Sequence, residues 1–127
     1  MRICRRTPLI FYNLFLRNIL KLSKIDLFED KDLRANLLTH IVPFLHRLEN
    51  NMQVTQSNLS SIRDEFPFAN ELAVCGLSFI PRKYGIAVSE EEIMYFTLHI
   101  ALALERGPEA RVKVNYRRDL QRYFQFV

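Results

Sequence analysis

What is scarce in this 127-residue chain narrows its class before any motif is read. Three glycines and five prolines exclude a collagenous or low-complexity chain. With 49% hydrophobic and 25% charged residues, the balance is that of one ordinary folded domain with a single core. Only two cysteines are present, Cys4 and Cys75. They lie too far apart for any metal-ligand spacing, and Cys75 falls in the apolar run ELAVCGLSFI, which predicts a reduced, buried thiol. No apolar run reaches the roughly 20 residues of a membrane span. The nearest candidate, PLIFYNLFLRNIL, is broken by Asn13 and Arg17 and is followed by no small-residue cleavage site, so neither an anchor nor a signal peptide is expected and the cytoplasm is the default location. The charge is also modest. Eighteen basic and 14 acidic residues leave a net +4, mild for a dedicated nucleic-acid binder.

The motifs of common catalysis are missing as well. The chain contains no glycine-rich phosphate loop, no G-x-S-x-G elbow and no cysteine near a histidine in a recognisable arrangement. His40 and His46 are six positions apart, a poor fit to one helical face, so no metal site is expected. The reading is a non-enzymatic protein without cofactors.

What the sequence does contain is helical periodicity. Phe11, Leu14, Phe15, Ile19 and Leu22 recur at spacings of three and four and predict a first amphipathic helix. A second runs through Leu33, Leu37, Ile41, Leu45 and Leu48, with Asp30 or Asp32 as its N-cap and Pro43 inside it as a kink or restart. Residues 59–66 predict a short third helix ending against Pro67. FANELAVCGLSFIPRKYG predicts a fourth, closed near Gly85. In the fifth, Ser89 and Glu92 form a capping box, and Arg106 and Gly107 close the helix. Five helices with no strand before residue 110 imply a compact all-α bundle. The chain divides into an N-terminal extension (1–9), the bundle (10–107) and a basic tail or linker (108–127).

Histidines punctuate two of these helices. On the second, His40 and Arg47 are seven residues apart and share a stripe, whereas His46 points elsewhere. On the fifth, Glu92, Tyr95, His99 and Arg106 lie on or near one stripe beside the apolar stripe of Ile93, Phe96, Ile100 and Leu104. A polar line along the core margin suits half-buried histidines that donate to a carbonyl or an acid. It also suits phosphoryl acceptors. Neutral imidazole is a good nucleophile near pH 7, its phosphorylation introduces about two negative charges, and Arg47 could orient the phosphate in a forked pair.

Three segments in order resemble a known family. DLRANLLTHIVPFLHRLENNM is similar to the first signature of the phosphotransferase-system regulation domain (PRD) of bacterial BglG-type antiterminators and related operon activators. SEEEIMYFTLHIALALER resembles its second signature, and SIRDEFPFANELA its intervening segment. The resemblance covers roughly residues 10–107. It implies a five-helix bundle that dimerises, with His40 and His99 at the two phosphorylatable positions and His46 at neither. It also implies phosphoryl donors among the phosphocarrier protein and the sugar-specific permease components. Phosphate would then shift dimer packing and switch an attached output domain, and nucleic acid would be reached only through that domain, which is absent from this chain. Two departures stand out: Gln56, Ser57, Asn58 and Leu59 replace the family's N-P-L-L, and Asn51 replaces its glycine. The competing expectation is a passive helical dimerisation module whose histidines are never modified.

Overall fold

The computed structural model describes residues 6–53 and 60–106. Six helical segments follow one another: α1 (Thr7–Ser23), α2 (Lys31–Glu49), α3 (Ser60–Glu65), α4 (Pro67–Leu77), α5 (Phe79–Tyr84) and α6 (Glu90–Arg106). No strand occurs among the described residues. The all-α bundle expected from periodicity is what forms. Its expected fourth helix is present, broken at Ser78 into α4 and α5.

Pro81 explains that break. It lacks an N–H, and inside a continuous helix its ring would press on the carbonyl four residues earlier, that of Leu77, where α4 ends. Ser78 tightens the turn by donating its hydroxyl to the Cys75 carbonyl at 2.8 Å. Pro43, by contrast, sits inside an unbroken α2 on an exposed position, and no restart occurs.

Ends are set by local chemistry. The Asp30 carboxylate accepts from the Leu33 N–H at 2.9 Å, which settles the N-cap of α2 on Asp30 rather than Asp32. At the other end Asn51 takes a left-handed φ of 55° while the Met52 N–H returns to the Arg47 carbonyl at 2.8 Å, so asparagine fills the role of the family's glycine. Gly85, with φ 66°, ends α5. The expected capping box of α6 forms with an unexpected partner. The Glu92 N–H meets Ser89 Oγ at 3.3 Å, but the Ser89 N–H donates to Gln53 Oε1 at 2.9 Å, and the Glu92 carboxylate turns to Arg47. Gln53 also donates to the Ala87 carbonyl at 2.9 Å, so one amide ties the exit of α2 to the start of α6.

Four helices close a ring, α1 on α4, α4 on α6, α6 on α2 and α2 on α1, with α3 laid across α4 and α6. At its centre Phe11, Phe15, Phe44 and Phe96 interlock, with centroids of Phe44 and Phe96 5.1 Å apart edge to face and those of Phe15 and Phe96 5.2 Å apart. Gly76 lets α4 approach α1 this closely, because a Cβ there would lie 2.5 Å from the Phe15 ring. Thr97 is buried, with its hydroxyl donating to the Ile93 carbonyl at 2.9 Å and accepting from the Asn70 amide at 3.2 Å. No helix among the described residues is long and apolar enough to cross a membrane. The fifth helix's expected closure at Gly107, the N-P-L-L departure at residues 56–59 and the basic tail 108–127 lie outside the described residues.

Candidate functional site

The seam between α2 and α6 brings the sequence-predicted residues together. These helices run antiparallel: seven residues back along α2 from Arg47 to His40 corresponds to seven forward along α6 from Glu92 to His99. Arg47 meets Glu92, and the rings of His40 and His99 lie 6.0 Å apart between centroids. At the far end Arg106 reaches Asp30 at 3.3 Å and Asp32 at 3.6 Å. The seam thus has an ion pair at each end and two imidazoles midway.

The Arg47–Glu92 pair is forked. Arg47 Nε–H donates to Glu92 Oε2 at 2.6 Å and Nη2–H to Oε1 at 2.7 Å. Glu92 is fully buried, at 0% exposure, whereas Arg47 retains 25%. A buried carboxylate keeps its charge only when paired in this way. The hydrogen bonds it donates to Glu92 hold the Arg47 guanidinium pKa above its ordinary value, against the opposing effect of burial. With Nε and Nη2 committed to Glu92, Nη1 is the guanidinium nitrogen left out of the fork.

His40 lies among aromatic rings, with centroids at 5.1 Å from Phe96, 5.2 Å from Tyr95 and 6.3 Å from Phe44. Desolvation by these neighbours, and then the positive charge of Arg47, lowers its pKa to about 4, with Glu92 pulling the other way. Desolvation likewise lowers the pKa of His99, helped by Arg106. Both imidazoles are therefore neutral at pH 7. Their buried nitrogens, His40 Nε2 and His99 Nδ1, have no hydrogen-bond partner. Both histidines are half-buried, as expected from sequence, and at these two nitrogens the expected donation to a carbonyl or an acid does not occur. Tyr95 contacts the His40 ring directly, and His46 is exposed on α2.

Residues that sequence reasoning passed over also shape the site. Phe96 was legible only as part of an apolar stripe and Phe44 was not singled out, yet both wall in His40. Gln53 carried no signal at all, because a glutamine in a turn-rich stretch has nothing to mark it as a clamp on a helix 36 residues further along. No group of three or more metal-ligating side chains is found among the described residues.

Comparison with known proteins adds the wider frame. The sequence profile described as PRD domain matches residues 13–103. The chain is 31% identical over 83 residues to a protein described as "Probable licABCH operon regulator" from Bacillus subtilis (strain 168), over 65% of this chain and 13% of that one. It is 30% identical over 91 residues to "Transcriptional regulator ManR" of the same organism, over 72% of this chain and 14% of that one. The chain therefore spans only about a seventh of the length of these relatives. No solved structure matches it significantly.

Proposed function

This chain belongs to the PRD domain family, and from that premise we propose that it is a phosphorylation-responsive regulatory domain for sugar-linked transcription control or antitermination. In this reading His40 and His99 accept phosphate from phosphotransferase-system proteins, namely the phosphocarrier protein and sugar-permease components, in the cytoplasm. The role is regulatory rather than catalytic. The domain works as a homodimer whose packing shifts with phosphorylation, and output passes through a module outside this chain. Two relatives that are regulators by description support the regulatory part.

The observation that carries the reading is the meeting of two neutral imidazoles, each with its buried nitrogen unbonded, at 6.0 Å on one helix seam. A nucleophilic nitrogen has to be unprotonated, and burial keeps both rings in that form at neutral pH. The same environment makes the product consequential. At an effective dielectric of about 20, two unit charges about 6 Å apart interact by roughly 3 kcal/mol, and a phosphate brings nearly two charges. Near His40 the cation is Arg47, whose charge already acts on that ring and which could offer Nη1 to a phosphate while still forked on Glu92. A full turn toward the phosphate would strip a buried carboxylate of its charged partner, so phosphate on His40 competes with the contact that joins α2 to α6.

The test is to mix the purified chain with phosphocarrier protein, its kinase and phosphoenolpyruvate. An acid-labile mass gain that disappears only when both His40 and His99 are replaced is the expected result. A folded chain that gains nothing would leave the passive dimerisation module as the better description.

A further inference from the structure

Only one nitrogen of each ring in the α2–α6 seam is sealed, and it is a different nitrogen in the two residues. His40 is buried at Nε2, the tip of its ring, and His99 at Nδ1, the nitrogen nearest its backbone. As whole residues both are only half-buried. The surroundings agree with this difference. The His40 ring is inserted among Phe44, Tyr95, Phe96 and His99, whereas the His99 ring has an aromatic contact with His40 alone among the described residues. His40 therefore goes in tip first and leaves its Nδ1 edge toward solvent, while His99 leaves its Nε2 tip there.

Phosphoryl transfer puts the attacking atom, phosphorus and leaving atom roughly in line. The donor must stand directly beyond the accepting nitrogen, and neither sealed nitrogen has room for it. We propose, on the footing of the phosphate-acceptor reading above, that His40 takes phosphate on Nδ1 and His99 on Nε2, so that the domain carries two chemically distinct phosphohistidine isomers. In each transfer the lone pair of the outward nitrogen forms the new N–P bond as the P–N bond to the donor's phosphorylated imidazole breaks. The electron pair of the broken bond stays with the donor's nitrogen. The donor ring, protonated on its other nitrogen, leaves as neutral imidazole, and the acceptor ring keeps its own proton on the sealed nitrogen as a phosphorylated imidazolium. Charge and protons balance.

The isomers differ in phosphorus chemical shift and in their recognition by isomer-specific phosphohistidine antibodies. The intact chain is phosphorylated with phosphoenolpyruvate, the kinase and the phosphocarrier protein, digested at alkaline pH, and the peptides containing His40 and His99 are typed separately. His40→Gln and His99→Gln chains provide a second measurement. The expected result is Nδ1-phosphohistidine in the His40 peptide and Nε2-phosphohistidine in the His99 peptide. Phosphate on the nitrogen named as sealed, at either residue, overturns the assignment while leaving the acceptor reading intact. Absence of phosphate from both histidines removes the acceptor reading and the assignment with it.

Discussion

Replacing Arg47 by methionine isolates the energetic asymmetry of the forked pair. Glu92 has no exposed surface and receives two short bonds, at 2.6 and 2.7 Å, from a guanidinium that is itself 25% exposed. Removing the cation strands a carboxylate with no access to water, and breaking a buried pair in this way costs about 3–5 kcal/mol. Removing the carboxylate charge instead, with Glu92→Gln, leaves an arginine that can turn outward, so the loss should be about 1–2 kcal/mol. Replacing both residues, Arg47→Met with Glu92→Leu, should recover most of the deficit, because neither charge then stays buried. Against a total of about 5–15 kcal/mol for a domain, the first change is large. Urea denaturation followed by circular dichroism at pH 7.5 gives all three values. The Arg47→Met deficit should also shrink as the pH is lowered toward about 4. Arg47 is one of the causes that lower the His40 pKa, so without it less of that histidine's contribution to stability is lost as pH falls. The reasoning is refuted if Arg47→Met unfolds within 1 kcal/mol of the parent chain, taking about 1 kcal/mol as the scale of an ordinary surface change, or if Glu92→Gln proves the more damaging of the two.

Other outcomes follow from the same packing. With the pKa of His40 lowered to about 4 from an unfolded value of 6.5, its contribution to stability is complete above pH 6.5 and is lost as pH falls toward 4. That amounts to about 2–3 kcal/mol, read as a drop in denaturation midpoint between pH 7 and pH 4 that His40→Gln flattens. Gly76→Ala drives a methyl to 2.5 Å from the buried Phe15 ring. The overpacking cost of about 1–3 kcal/mol should exceed the roughly 1 kcal/mol gained in helix propensity, giving a net loss on thermal melting. Asp30→Ala removes the cap on Leu33 and a contact with Arg106. It should cost about 1 kcal/mol, a fall of about 4–8 °C in Tm.

Much of this fold was legible because its helices are punctuated by local chemistry. The periodicity of α1, the Asp30 and Ser89 caps and the left-handed positions at Asn51 and Gly85 all act within a turn of the residues that declare them. The break at Ser78 was also written locally, in Pro81, but its effect falls four residues earlier and is easily read as a continuing helix. The site was legible only in part. Helical arithmetic placed His40 with Arg47, and Glu92, Tyr95, His99 and Arg106 together on another stripe. It could not say that the two stripes face each other in antiparallel register, because that is decided by how four helices close a ring. For the same reason the closing of Phe44, Tyr95 and Phe96 around His40 could not be read, and the turn of the Glu92 carboxylate to Arg47 was hidden until its partner was in view.

The fastening of α2 to α6 at its two extremities determines what kind of motion the seam can make. Sliding one helix along the other by a turn would unfasten Arg47 from Glu92 and Arg106 from Asp30 together, so translation is the expensive direction. The stretch between is joined by ring contacts, His40 with Tyr95, Phe96 and His99 and Phe44 with Phe96, so it is held by packing rather than by charge. Charge placed at mid-span would be answered by a change in the curvature or roll of the outer surface, which a neighbouring molecule can feel without any helix changing its place in the sequence of contacts.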